Sequence, residues 1–199
     1  KQAIAIEGMS GIYPEAKNVR EYWKNLAAGK NSVTEIPADR WDKERYYDPD
    51  PKAPGKTNCT WGGFVEGAYN FDPLFFAISP AEAEGMDPQQ RLFLQEAYRA
   101  FEDAGYTRSL LSDSKCGVYL GIMSGEYSKI LYQTATDEKN ATGNSAAIGA
   151  ARISYYLNLK GPALAIDTAC SSSLVATHLA CQALAAGEIS MALVGGVTL

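Results

Sequence analysis

The chain has 199 residues, 46% of them hydrophobic and 21% charged, the balance of an ordinary globular protein long enough to bury a core. Its formal net charge of -5, from 23 acidic and 18 basic residues with no block of Lys or Arg, lacks the electrostatic footprint of a nucleic-acid or anionic-membrane binder, so neither partner is expected. No segment reads as a membrane span or a signal peptide, which makes the cytoplasm the default expectation.

Taken in chain order, AIAIEGM, Ala3 to Met9, reads as a buried strand, and VREYWKNLAAGK reads as a helix stopped by Gly29. Residues 36–57 carry Pro37, Pro49, Pro51 and Pro54 among many charges and read as a long loop. At its end Gly55, Lys56 and Thr57 have the look of a phosphate-binding loop, but the leading glycine of that motif would fall on Asp50 and no strand or helix flanks it. That reading fails. FDPLFFAISPAEAEGMDPQQRLFLQEAYRAFEDAGY offers two helices, the second opening with Asp87 as N-cap and Pro88 at the first helical position and ending at Gly105. Leu94, Tyr98 and Phe101 share one face of it, with Arg91, Gln95, Glu102 and Asp103 largely elsewhere, so it reads as a core-packing helix.

Cys116 to Met123 is a further apolar run, Thr142 to Leu157 a small-residue helix despite Gly149, and Gly161 with Pro162 breaks the chain before a strand at Ala163 to Asp167. Met191 to Val197 is the last strand. Strands alternating with helices argue parallel β with right-handed crossovers, hence α/β layers. The chain begins at Lys1 and stops at Leu199 directly after an apolar strand, so residues 1–199 are expected to be the first portion of a domain that continues.

Cys59, Cys116, Cys170 and Cys181 lie far apart, with no C-x-x-C pair and a single histidine, so no metal site and no disulfide framework is expected. Cys170 stands out. From there to Ala186 the chain has no glycine or proline and Gly187 sits where a cap belongs, which predicts a helix of about seventeen residues opening near Cys170. Free backbone N–H groups and the positive end of the helix dipole favour a thiolate there, and a strand-turn-helix lifts it to the carboxyl edge of the sheet, where α/β proteins place ligands. Thr168, Ala169 and Ser171 to Ser173 are small, leaving an acyl chain little obstruction at the sulfur, and the serine hydroxyls can bond local backbone. The competing reading is a buried apolar filler, which most free cysteines are. A helix places Cys181 about 16 Å along the axis from Cys170, too far for a disulfide, and His178 about 12 Å along it, beyond hydrogen-bond reach of the sulfur. His178 therefore reads as a packed helix histidine. Either Cys170 is inert or its bases lie beyond Leu199.

DTACSSSLVATHLACQAL resembles the active-site block of β-ketoacyl synthase domains of modular polyketide synthases. IAIEGMSGIYPEAKNVREYWKNLAAGKNSVTEIPADRW resembles that family's N-terminal segment, and GGFVEGAYNFDPLFFAISPAEAEGMDPQQRLFLQEAYRAFEDAGY its second landmark. GNSAAIGAARISYYLNLKGPALAIDTACSSS resembles the approach to the nucleophile. The resemblance covers the whole chain and implies a thiolase-like fold of α-β-α-β-α layers, of which this is the N-terminal half, usually in a homodimer. It implies that Cys170 accepts an acyl group from the phosphopantetheine arm of an acyl carrier protein, with no cofactor bound directly. A decarboxylated malonyl-type extender then attacks the thioester in a Claisen condensation. The family's two histidines for decarboxylation fall downstream of Leu199, and Met123, Ser124 and Asn144, with Thr168 and Ala169, are the expected substrate-side residues. Cysteine rather than glutamine at 170 argues against a decarboxylase-only loading variant. A non-elongating ketosynthase that passes chains without condensation, and an inactive structural fragment, are the alternatives. YYLNLKGP and YYDPDPKAPGKTN resemble bacterial modular synthases, including those served by separate acyltransferases.

Overall fold

Residues 3–123, 125–134 and 141–199 are described by the computed structural model, and the chain divides into two units, Gly11–Gly67 and Lys1–Ser10 with Ala68–Leu199. In the smaller unit, α1 (Val19–Ala27) opens at Asn18, whose side chain accepts from the Glu21 amide at 2.9 Å, and the chain leaves it through Gly29 at φ +62°. The stretch 36–57 is a loop of turns, bends and unassigned backbone, as expected, with only the short α2 (Lys43–Tyr46) inside it, capped by Asp42. It is flanked by β1 (Thr34–Glu35), which pairs antiparallel with β2 (Trp61–Gly62). Lys56 Nζ donates to the Arg45 carbonyl at 2.6 Å, so this lysine is engaged on the chain's own backbone rather than poised over a phosphate site.

The larger unit runs α3 (Pro80–Glu84), α4 (Pro88–Asp103), α5 (Arg108–Leu111), β3 (Cys116–Ile122), α6 (Tyr127–Thr134), α7 (Ala141–Asn144), α8 (Ala146–Leu157), β4 (Ala163–Ile166), α9 (Ser172–Ala186) and β5 (Met191–Val197). The three strands form a parallel sheet in the order β4-β3-β5, with Val118 opposite Ala163 and Cys116 opposite Met191. β3 is buried along its whole length, which is why it reads as an unbroken apolar run. Its side chains alternate between two cores. Cys116, Val118, Leu120 and Ile122 join Phe93, Leu94 and Phe101 of α4 and Ala150, Ile153 and Leu157 of α8, whereas Tyr119 joins Ala176, Ala180 and Ala183 of α9. The result is the expected helix-sheet-helix layering, with α8 and α9 as the crossovers.

Three elements differ from the sequence reading. Ala3 to Met9 forms no strand and pairs with none among the described residues. The Met9 amide donates to Asp103 at 2.9 Å, Tyr106 donates to Glu7 at 2.8 Å and Gly8 presses on Ala100 and Ala104, so α4 and its C-terminal flank hold the segment through side chains, and Ile6 is 80% exposed. An apolar alternation proposes a strand; only a ladder makes one. The predicted helix from Thr142 is two helices, parted at Ser145, whose backbone is extended at φ -83°, ψ 122°. Gln90 Nε2 takes the Ser145 carbonyl at 2.9 Å and the Asp87 amide takes that of Gly143 at 2.9 Å, replacing helical partners with tertiary ones. Finally, Ala169–Ala186 is long and apolar enough to cross a membrane by length and composition alone, which the sequence reading overlooked. In the fold its stripe of small residues, Ser172, Ala176, Ala180 and Ala183, lies buried, with α9 against β3 and β5.

Candidate active site

β4 ends at Ile166, and a short turn built almost wholly from hydroxyls and one carboxylate carries the chain into α9. Asp167 Oδ1 accepts from the Ala169 amide at 3.0 Å. Ser172 Oγ accepts from the Thr168 amide at 2.9 Å and donates to the Ala169 carbonyl at 2.7 Å. Ser171 Oγ donates to the Thr168 carbonyl at 2.8 Å and meets Thr168 Oγ1 at 2.9 Å. Thr168 and the serines thus bond local backbone, as their side-chain chemistry predicts. These bonds hold Ala169 at φ +57°, a left-handed conformation that costs a residue with a Cβ about 1 kcal/mol. Cys170 follows it within a 3-10 turn, Ala169–Ser171, and α9 begins only at Ser172. The helix is therefore 15 residues long, shorter than expected, because the left-handed step at Ala169 delays its start.

The turn sits at the carboxyl edge of the sheet. A Cβ on Gly121 of β3 would stand 2.7 Å from the Ser173 amide nitrogen, and one on Gly196 of β5 would stand 2.9 Å from Ser173 Cβ. Two glycines thus let the start of α9 settle directly on the strand ends.

Burial sorts the four cysteines, all of which are free. Cys116 is fully buried in β3, and desolvation pushes its thiol from 9.0 up to about 11, which keeps it protonated and inert. Cys181 is half-buried on α9, and Cys59 is exposed but its sulfur meets the Trp61 carbonyl at 3.4 Å. Cys170 is exposed on the strained turn, so the buried-filler reading does not describe it. His178 corrects an expectation: it lies on an exposed face of α9 rather than packed, because the buried stripe of the helix runs through the alanines on either side of it in sequence.

Of the expected substrate-side residues, Thr168 and Ala169 are exposed beside the sulfur's own residue, and Ser124 lies outside the described residues. Met123 leaves the end of β3 and is 46% exposed. Asn144 is half-buried, its Nδ2 donating to the Gly85 carbonyl at 3.0 Å. A groove of about 850 Å³ lies elsewhere, between Ala3–Met9, β5 and the later turns of α9, and the turn bearing Cys170 does not line it.

The sequence reading missed a buried polar cluster at the start of α4. Asp87, Gln89, Gln90 and Arg91 are all buried, although Arg91 was placed off the core face. Asp87 Oδ1 accepts from the Gln89 amide at 2.8 Å as the expected N-cap, and Gln89 Nε2 reaches the Met123 carbonyl at 3.5 Å. Gln90 also accepts from Arg152 Nε at 3.2 Å, and Arg152 pairs with Glu82 at 2.7 Å. The Arg91 guanidinium stacks over Tyr127 at 5.5 Å, with its Nε lacking an acceptor among the described residues. The available signal was DPQQR itself, three adjacent polar side chains at the head of a helix with room on its wheel for only one solvated face.

The family model for the β-ketoacyl synthase N-terminal domain matches residues 1–199. Polyketide synthase PksL of Bacillus subtilis (strain 168) is 61% identical over 199 residues, all of this chain and 4% of PksL. Polyketide synthase ThaG of Burkholderia thailandensis is 49% identical over 196 residues, 98% of this chain and 4% of ThaG. Among solved structures, the ketosynthase from module 6 of the bacillaene synthase of Bacillus subtilis 168 superposes with a TM-score of 0.88 at 59% identity, covering 100% of this chain and 32% of that one. An oxazolomycin ketosynthase domain from Streptomyces albus JA3453 superposes at 0.90 with 44% identity, covering 100% of this chain and 35% of that one. The chain spans 4% of these two polyketide synthases and about a third of the solved ketosynthases. The α/β layering described above is thus the thiolase-like fold of ketosynthases.

Proposed function

The chain belongs to the β-ketoacyl synthase family as its N-terminal domain, and from that premise we propose that it is the nucleophile-bearing part of a polyketide-synthase ketosynthase, with Cys170 as the acyl acceptor. The observation that carries the reading is the placement of this one thiol: exposed, on a turn strained at Ala169, at the carboxyl edge of a parallel sheet. The acyl group arrives as a thioester on the phosphopantetheine arm of an acyl carrier protein. The Cys170 sulfur attacks the thioester carbonyl, and the tetrahedral oxyanion is met by the backbone N–H of Cys170 itself, the amides of Thr168, Ala169, Ser171 and Ser172 being already bonded within the turn. Collapse breaks the original C–S bond, and the pantetheine thiolate leaves and takes up a proton.

In the acyltransferase and C–C bond-forming cycle proposed here, a malonyl-type extender then loses CO₂, and its carbanion attacks the Cys170 thioester carbonyl, forming the C–C bond as the C–S bond breaks and the Cys170 thiolate leaves. The groups that assist decarboxylation belong to the part of the ketosynthase beyond this chain. His178, eight residues past Cys170 on an exposed face of α9, has no role in the scheme. The remaining domains of a multidomain synthase, and a second copy of the ketosynthase, complete the proposed assembly.

The test uses the complete ketosynthase-bearing protein. Incubation with an acyl thioester, followed by peptide mass analysis, is expected to place the acyl group on Cys170. Cys170→Ala is expected to lose the adduct while unfolding at the same temperature, since little volume is removed from an exposed turn. An adduct that persists in Cys170→Ala refutes the assignment. Adding a malonyl-type extender then separates condensation from mere acyl passage, because only condensation releases CO₂ and lengthens the chain.

A further inference from the structure

Four of the five buried polar or charged side chains among the described residues lie in one stretch, Asp87 to Arg91. Buried polar groups are costly unless bonded, so what they bond shows what they hold. Gln90, 1% exposed, donates through Nε2 to the Ser145 carbonyl and accepts through Oε1 from Arg152. Because Arg152 can only donate, the amide has one permitted orientation, and its N–H is committed to Ser145. Gln89 reaches the Met123 carbonyl, and the Asp87 amide takes the Gly143 carbonyl. The cluster therefore holds the main chain at two places by its carbonyls, at residues 143–145 and, across 3.5 Å, at Met123.

Topology puts both places at the carboxyl edge that carries Cys170. Met123 follows Ile122, the last residue of β3, and stands two positions beyond Gly121, on which Ser172 and Ser173 rest. Residues 143–145 lead into α8, the crossover from β3 to β4, which in a parallel β-α-β unit starts at the carboxyl edge. β4 then delivers Asp167 and the nucleophile turn to the same edge.

We propose that Gln90 is a positioning residue for acyl-chain selection: with Gln89 it fixes the main chain at Met123 and at residues 143–145 as a wall along which the chain on Cys170 extends. The inference rests on the reading of Cys170 as acyl acceptor. A wall set by main-chain anchors acts on long chains, which run along it, and leaves the shortest chain, which does not reach it, unaffected.

Gln90→Glu isolates the effect. The carboxylate keeps the size of the side chain and its pairing with Arg152 but has no N–H, so the Ser145 carbonyl loses its donor. Gln89→Met is the companion variant, removing the bond to Met123 at similar volume. In the complete ketosynthase-bearing protein, acylation of Cys170 is timed with acetyl- and octanoyl-N-acetylcysteamine thioesters. The expected result is an acetyl rate within about twofold of wild type and an acetyl-to-octanoyl ratio raised about fivefold or more, the scale of one lost hydrogen bond. An unchanged ratio, or an equal fall for both chains, in a folded variant overturns the proposal. Should Gln90→Glu not fold, the ratio in Gln89→Met decides. Wild-type protein that takes no acyl group on Cys170 would instead sink the underlying reading of the site, a result separate from either.

Discussion

Gly121→Ala tests whether the nucleophile turn is seated by the sheet. A Cβ added at Gly121 would lie 2.7 Å from the Ser173 nitrogen, 2.9 Å from the Ser172 carbonyl carbon and 3.0 Å from Ser173 Cα, all backbone atoms. Ordinary contact begins near 3.4 Å, a shortfall of about 0.7 Å. β3 cannot yield, because Gly121 is paired with Ile166 on one side and Gly196 on the other. The start of α9 must therefore move, and the turn bearing Cys170 with it. Overpacking of this kind costs about 1–3 kcal/mol. A displacement approaching 1 Å at a reacting atom costs up to about 10²-fold in rate, so acyl loading should fall at least about tenfold. Gly149→Ala is the milder contrast: its added Cβ would meet the buried Leu120 Cδ2 methyl at 3.2 Å, only about 0.2 Å inside ordinary contact and against a side-chain end rather than backbone. Helix propensity offsets the contact by about 1 kcal/mol, leaving stability and loading near wild type. The assay is the rate of adduct formation on Cys170 in the complete ketosynthase-bearing protein, beside its thermal unfolding. Loading within twofold of wild type and unchanged unfolding in Gly121→Ala would refute the reasoning.

Two further outcomes are expected. Ala169→Gly should unfold at or above the wild-type temperature, because glycine adopts φ +57° without strain, whereas Ala169→Val should lose about 1–3 kcal/mol; equal stability of the two variants would show that the left-handed step is not where the strain resides. Cys116 gives a pH signature: the folded thiol holds its proton up to about 11 while the unfolded chain releases it near 9.0, so across that window the unfolded state binds fewer protons and stability falls as pH rises. Chemical denaturation from pH 8 to 10.5 should show a shallower decline in Cys116→Ala than in wild type, and parallel curves would count against burial of the thiol as the cause.

Local chemistry was legible where it is local. Asp87 and Pro88 announce the start of α4 and Gly187 the end of α9, since caps depend on a few neighbouring residues. β3, β4 and β5 read as apolar runs because a parallel strand covered on both faces has no polar side to show, and DTACSSS marked Cys170. The tertiary structure alone decided that Ala3 to Met9 has no ladder among the described residues, since pairing depends on an edge elsewhere in the chain. It also decided that Gln89, Gln90 and Arg91 are buried, because a polar side chain goes inside only when distant carbonyls and rings stand ready to receive it. The same holds for the left-handed step at Ala169, imposed by bonds from Asp167 and Ser172 across a turn that alanine does not favour. A sequence states what each residue can bond or bury, and the fold determines which of those capacities are used, because every bond needs a second partner brought from somewhere else.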